Sequence, residues 1–132
     1  MRELPVVQGL MICEYVITDP QMKRRTFVNR FTTHRPDRFP SPPFPFVVVA
    51  TLTNGFGDIP ITLEFLHLES DEFLARYVAV ERFSDRLRSH LLINRVPDLI
   101  FPVAGTYELT LFADDEPLTS SLLRILTRNW GG

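Results

Sequence analysis

The single cysteine of the 132-residue chain, Cys13, is the first residue to consider as a nucleophile. A reactive thiol must ionise, which requires an exposed position beside a histidine or another positive charge. Cys13 instead lies in an alternating run in which Met11, Tyr15 and Ile17 share its side, and no histidine is close to it in sequence. We therefore interpret Cys13 as a small buried apolar residue. A lone cysteine forms no intrachain disulfide, so we expect a reducing compartment, the cytoplasm.

Metal binding would require histidines or carboxylates at close spacing. His34, His67 and His90 show no short metal-ligand spacing. The acidic clusters at residues 71–72 and 114–116 offer the oxygen ligands that Ca²⁺ prefers, and loops of a β-sandwich can converge on such an ion. Both clusters also fall where turns are expected, and aspartate is favoured in turns. We favour the turn interpretation and predict no cofactor, with a Ca²⁺- or small-ligand-binding sandwich as an alternative.

The basic residues could form a patch on one face of a sheet. The chain has 14 basic and 16 acidic residues and a net charge of −2, which gives no long-range field for nucleic acid. We interpret the basic residues as a solvated face paired with Glu64, Glu81 and Glu108. No run of about 18 apolar residues is present to span a membrane, so we predict neither a nucleic-acid nor a membrane partner. The basic residues concerned are Lys23, Arg24, Arg25, Arg76, Arg82, Arg86 and Arg88.

The most distinctive segment is the proline-rich stretch at residues 36–45, PDRFPSPPFP. Proline at this density favours an extended conformation, and Phe39 and Phe44 stand between the prolines. Exposed, these two rings would anchor a partner together with Pro42 and Pro43. Folded inward, they would close one end of the core.

The chain ends in Trp130-Gly131-Gly132. A terminal Gly-Gly suits the narrow active sites that conjugate ubiquitin-like proteins, because glycine lets the backbone pass closely. The rest of the chain lacks the central helix of a ubiquitin-like fold. Trp130 is either a cap on the core or an exposed contact, and we include it among the candidate partner-binding residues.

The elements that position these residues are strands. Apolar residues recur with period two between frequent turns, which favours strands over helices. The run Val47-Val48-Val49 indicates burial on both faces. Residues 71–95 are also compatible with helical spacing over 72–88, and Pro97-Asp98 is expected to end the strand before it. Strands are predicted near residues 11–18, 26–33, 46–53, 59–69, 72–83, 87–94, 106–113 and 121–127.

Three segments carry a resemblance to a known family: MICEYVITD at residues 11–19, FPFVVVATLTNG at 44–55 and FPVAGTYEL at 101–109. Their order resembles a family of small uncharacterised bacterial proteins with an immunoglobulin-like β-sandwich fold. The resemblance covers roughly residues 9–127. It implies the fold and a bacterial cytoplasmic origin, and it carries over no catalytic residues.

The sequence thus predicts an all-β, Ig-like antiparallel β-sandwich of seven to eight strands. We expect a single domain over residues 1–132, with a proline-rich loop at 36–45 and a short tail at 128–132. The predicted function is a non-enzymatic protein-interaction or structural module. Its contact surface is the loop around Phe39 to Phe44, or an unpaired sheet edge, and its partner is a protein, with a homodimer as one candidate. A ubiquitin-like protein using Gly131-Gly132 is an alternative.

Overall fold

The structure, a computed structural model, describes residues 2–128, and in that range it contains strands and no helix. Period-two alternation therefore decided the local structure throughout. The strands are β1 (Val6–Asp19), β2 (Arg24–Arg30), β3 (Thr33–His34), β4 (Phe44–Thr53), β5 (Gly57–His67), β6 (Glu72–Phe83), β7 (His90–Leu99), β8 (Gly105–Ala113) and β9 (Glu116–Ile125).

The strands form two sheets that pack face to face. The four-stranded sheet has the order β2-β1-β4-β7, and the five-stranded sheet has the order β3-β9-β8-β5-β6. Neighbouring strands are antiparallel except for the two-residue β3, which pairs in parallel with β9. The predicted sandwich is confirmed, with β3 as a short strand beyond the seven or eight expected.

The main core lies between the two sheets and follows the predicted alternation. Ile61, Leu63 and Phe65 of β5 and Leu109 and Leu111 of β8 are all buried. Each fully buried side chain of this size contributes about 1.5–3 kcal/mol to folding. The same cluster takes in residues of the opposite sheet, among them Ile12, Phe46, Val48, Leu52, Leu92 and Val96.

Tyr107 connects the start of β8 to the loop before it. Its ring is fully buried, and its hydroxyl donates a hydrogen bond to the carbonyl oxygen of Val103 at 2.6 Å. A buried tyrosine that bonds to the backbone a few residues upstream is the tyrosine corner typical of Ig-like sandwiches. Phe101 packs edge-on against the same ring at 5.0 Å.

Three expectations about the elements need correction. Helical spacing at residues 72–88 has no counterpart, because β6 occupies Glu72–Phe83. The predicted strand at 26–33 is divided at Phe31, since β2 pairs with β1 whereas β3 pairs with β9 in the other sheet. The expected break at Pro97 was wrong: β7 continues to Leu99. β7 is an edge strand, so a residue without an N–H can lie on its unpaired side.

Candidate functional site: the outer face of the four-stranded sheet

The proline-rich loop packs against the end of the sandwich. Phe39 and Phe44 are half-buried and contact the main core. Ser41, which is buried, fastens the loop: its N–H donates to the Phe101 carbonyl at 2.9 Å, and its Oγ accepts from the Phe101 N–H at 2.8 Å. The inward-folded arrangement of Phe39 and Phe44 is therefore the one observed, and a partner at this loop stays a prediction.

Pro42 and Pro43 line a small cleft of about 160 Å³ on the outside of this loop. Its wall includes His34 stacked on the Phe44 ring, with the ring centroids 3.7 Å apart. Burial lowers the pKa of His34, which favours the neutral ring in this stack. Trp130, Gly131 and Gly132 lie outside the described residues.

A serine, a histidine and a glutamate meet in the turn between β5 and β6. His67 Nδ1 lies 2.6 Å from Ser70 Oγ, and His67 Nε2 lies 3.2 Å from Glu69 Oε2. Glu69 also accepts a hydrogen bond from the Thr106 N–H at 3.0 Å, which holds the pKa of its carboxyl below the usual range. These contacts fasten the turn to the start of β8. The sequence did not reveal them, because the contact with Thr106 joins distant parts of the chain.

The remaining histidine and the acidic turns form simple pairs. His90 Nε2 lies 3.2 Å from Glu81 Oε2. Asp114 and Asp115 both have positive φ in the β8–β9 turn, as the turn interpretation predicts, and Asp114 pairs with Arg2 at 3.2 Å. Within residues 2–128, no three His, Cys, Asp or Glu side chains are grouped so that they could hold a metal ion. In the same range, no helix is long and apolar enough to cross a membrane.

Cys13 is fully buried, as predicted, but it lies outside the main core. With Val47 and Val49 it forms a second buried cluster, which we call the outer cluster. The three consecutive valines of β4 explain the geometry: Val48 points into the main core, and its two neighbours point to the other face of the sheet. Burial raises the pKa of the Cys13 thiol, so the thiol stays neutral and unreactive.

The hairpin of β1 and β2 covers the outer cluster. Cys13 is the last residue of β1 that pairs with β4, and beyond it β1 pairs only with β2. Glu14 and Asn29 face each other in this hairpin but are not among its paired residues. Asn29 has a φ of 57°, and its Nδ2 donates a hydrogen bond to Glu14 Oε2 at 2.9 Å. Beyond this irregularity, the cross-strand pair Val16 and Phe27 packs against the cluster. The hairpin therefore packs on the outer cluster in the segment where β1 no longer pairs with β4.

Phe27 belongs to one edge strand of the four-stranded sheet but lies near a residue of the opposite edge strand. It lines a groove of about 210 Å³ together with Leu91 of β7, although β2 and β7 are the opposite edge strands. Three strand spacings separate those edges, or about 14 Å. The hairpin must therefore lie across the outer face, and the groove runs between hairpin and sheet. Its apolar walls and one basic residue come from Gly9, Met11, Phe27, Arg30, Val49 and Leu91.

Leu91 also borders a second cavity of about 340 Å³, which is polar and basic. Arg25 of the hairpin meets Arg82 of β6 and Arg88 of the β6–β7 loop there. In the described part of the chain, none of these three guanidinium groups has a carboxylate within ion-pair distance. We call the apolar groove and this basic pocket together the outer channel.

The outer channel corrects part of the interpretation of the basic residues. Arg76 does pair with Glu64, at 3.8 Å, as predicted. Glu81, however, contacts His90 rather than an arginine. Elsewhere Arg86 pairs with Glu3 at 3.0 Å, so the arginines divide into a paired group and the group that converges in the pocket.

The edge strand β6 is a second exposed feature. It pairs with β5 along one side and ends the five-stranded sheet. Val78 and Val80 keep 61% and 66% of their surface exposed, and Phe73 keeps 57%. Apolar side chains and a free strand edge therefore coincide.

The fold and these surfaces define an Ig-like β-sandwich. No family model matches the chain, and no curated protein matches it. Among solved structures it is similar to an immunoglobulin-like protein from Pseudomonas aeruginosa, at 16% identity over 94% of this chain and 98% of that one, with a TM-score of 0.47. This likeness concerns the fold, and the class assignment depends on the two packed sheets and the Tyr107 corner.

Proposed function

We propose that the chain is a non-enzymatic protein-interaction module that pairs with a second copy of itself through β6. The observation that carries this proposal is the length of the free edge: β6 spans 12 residues, Glu72–Phe83, and has a neighbour on one side only. A free edge presents N–H and C=O groups that can pair with another strand. The single cysteine supports a reducing compartment, the cytoplasm, as the site of this module.

The side chains of β6 support association rather than protection of the edge. Proteins usually guard a long edge with charged residues, prolines or bulges. β6 has a register shift near its start and charged residues towards both ends, but its middle carries the exposed Val78 and Val80. Burying these two valines would remove apolar surface from water, at about 25 cal/mol per Å².

A second copy satisfies this edge with a single closed contact. Two antiparallel β6 strands related by a two-fold axis at Ala79 would place Val78 of each copy opposite Val80 of the other. The ten strands would form one continuous sheet, and the contact would use the same surface on both copies. No further free β6 edge would then remain.

Sedimentation velocity on the full chain tests the proposal. The unmodified protein is expected to be a dimer at high micromolar concentration, and Val78→Lys with Val80→Lys is expected to be a monomer with unchanged circular dichroism. Leu122→Lys is the matched control, because Leu122 is also an exposed strand residue (48%) but lies on β9, which β8 and β5 separate from β6. A monomeric unmodified protein, or a dimer that survives both lysines, would refute this function.

A further inference from the structure

The outer channel combines an apolar surface and a basic one. Its groove is lined by Met11, Phe27, Val49 and Leu91, and its pocket by three arginines. Leu91 belongs to both walls, so the groove and the pocket adjoin each other. An occupant must therefore present apolar side chains at one end and negative charge at the other.

The three arginines line one pocket, and in the described chain no carboxylate forms an ion pair with any of them. Arg25, Arg82 and Arg88 come from three separate segments, and the pocket also contains the carboxylate of Asp85. That carboxylate accepts a hydrogen bond from the Leu87 N–H at 2.9 Å, within its own turn. The three guanidinium groups bring positive charge to one pocket, and a bound anion would offset that charge.

Guanidinium groups are suited to carboxylates. The planar fork of arginine binds a carboxylate through two parallel hydrogen bonds, which are stronger than neutral ones. Phosphate has a similar requirement, but a free phosphate would leave the adjacent groove unused. A nucleic acid would bring many negative charges to a chain whose net charge is −2. The groove offers it one aromatic ring, Phe27, for base stacking.

We propose that the outer channel binds a peptide segment of another protein, in which apolar residues precede two or more carboxylates. The apolar side chains occupy the groove beside Phe27 and Leu91, and the carboxylates lie against Arg82 and Arg88. The basic pocket takes Arg82 and Phe83 from the end of β6, and its other lining residues come from β2, the β6–β7 loop and β7. All of them are present in one copy of the chain. The site therefore does not depend on the proposed dimer.

Selection from a displayed library of random octapeptides, with the full chain as bait, tests this proposal. We expect enrichment of peptides with apolar residues followed by aspartate or glutamate. A synthetic peptide of the enriched sequence should bind about tenfold or more weakly to Arg82→Glu with Arg88→Glu, because charge-assisted hydrogen bonds are lost and repulsion replaces them. Arg124→Glu is the matched control: Arg124 is exposed on β9, which β8 and β5 separate from β6 and its Arg82, and its loss should leave binding unchanged.

Titrations with a matched amide peptide, inorganic phosphate and an oligonucleotide separate the other sources of negative charge. The same peptide with glutamine and asparagine in place of its acids should bind the unmodified protein more weakly than the acidic peptide does. It should still bind better than the acidic peptide binds to the double variant, because it meets no repulsion. Three outcomes would overturn the proposal. The library could enrich peptides without acids, the variant Arg82→Glu with Arg88→Glu could bind the peptide fully, or the protein could bind phosphate or the oligonucleotide alone. The lysine variants of Val78 and Val80 should bind the peptide normally, which separates this result from the dimer test.

Discussion

The two apolar clusters on either side of β4 are built from the same short run of valines but are closed in different ways. The main core is covered by a complete sheet, and strands of both sheets surround Val48. The outer cluster, with Val47 and Val49, is covered by a two-stranded hairpin joined to the sheet along β1. A stretch that is apolar on both faces thus requires a cover on each.

The difference concerns stability as well as shape. Local opening requires less free energy where few buried apolar contacts hold a segment, and binding surfaces are often drawn from such segments. Only three buried residues form the outer cluster in the described chain. We therefore expect the hairpin to open before the sandwich unfolds, which would let a peptide enter the outer channel.

The largest expected effect is in the main core. Phe65 is fully buried and packs edge-on against Phe46 at 5.8 Å and Tyr77 at 6.2 Å. Phe65→Ala is expected to lower the free energy of unfolding by about 3–5 kcal/mol, through lost burial and a cavity. Urea denaturation followed by circular dichroism measures it. If Phe65→Ala lowered the free energy of unfolding no more than Phe27→Ala at the outer cluster, the two clusters would not differ in stability.

The next effect tests the loop at the end of the main core. Phe44 contacts the Phe31 ring at 5.6 Å and stacks on His34. Because the ring is only half-buried, Phe44→Ala should cost about 2 kcal/mol and lower Tm. Exposed Pro43→Ala is the control and should leave Tm nearly unchanged. An unchanged Tm for Phe44→Ala, with weaker association, would instead make this residue a partner contact.

A smaller effect is expected at the outer cluster. Phe27→Ala should cost about 1 kcal/mol, because the ring is only partly buried. It should also let a thiol reagent reach Cys13, whose raised pKa and complete burial otherwise make it unreactive. The rate of reaction with a chromogenic disulfide reports this, with Tyr15→Ala as the control, since Tyr15 is half exposed. Equal rates in Phe27→Ala and the unmodified protein would contradict the hairpin cover.

The smallest effect is a pH dependence confined to the five-stranded sheet. The hydrogen bond from the Thr106 N–H lowers the pKa of Glu69 in the folded state. Its stabilisation is therefore present above the unfolded pKa and is lost as pH falls through the folded pKa. As pH falls, the free energy of unfolding should decrease slightly more for the unmodified protein than for Glu69→Gln. Chemical denaturation at each pH measures this difference. Identical pH profiles would mean that Glu69 contributes nothing.

Local alternation predicted most of the fold. β6 has its predicted bounds, Tyr107 and Leu109 point inward as expected, and the burial of Val47, Val48 and Val49 was anticipated. These features depend on neighbours in sequence. The sheet order was not contained in that pattern, and neither was the continuation of β7 through Pro97, which depends on β7 being an edge.

The candidate site was beyond sequence reasoning for a related reason. The hairpin packs on the outer cluster beyond Cys13, where β1 stops pairing with β4, and nothing in the alternating sequence marks that point. The meeting of Arg25 with Arg82 and Arg88 then depends on where that hairpin lies. A basic patch was considered, but which arginines lack carboxylate partners follows only from the folded chain.

Nuclear Overhauser contacts in a methyl-labelled sample test the central claim, that the β1–β2 hairpin lies across the outer face of the four-stranded sheet. Phe27 packs against Val49 and lines the same groove as Leu91. The account predicts cross-peaks from the Phe27 ring protons to the methyl groups of both residues. A Phe27 ring without cross-peaks to β4 or β7 would place the hairpin away from the sheet and leave no outer channel.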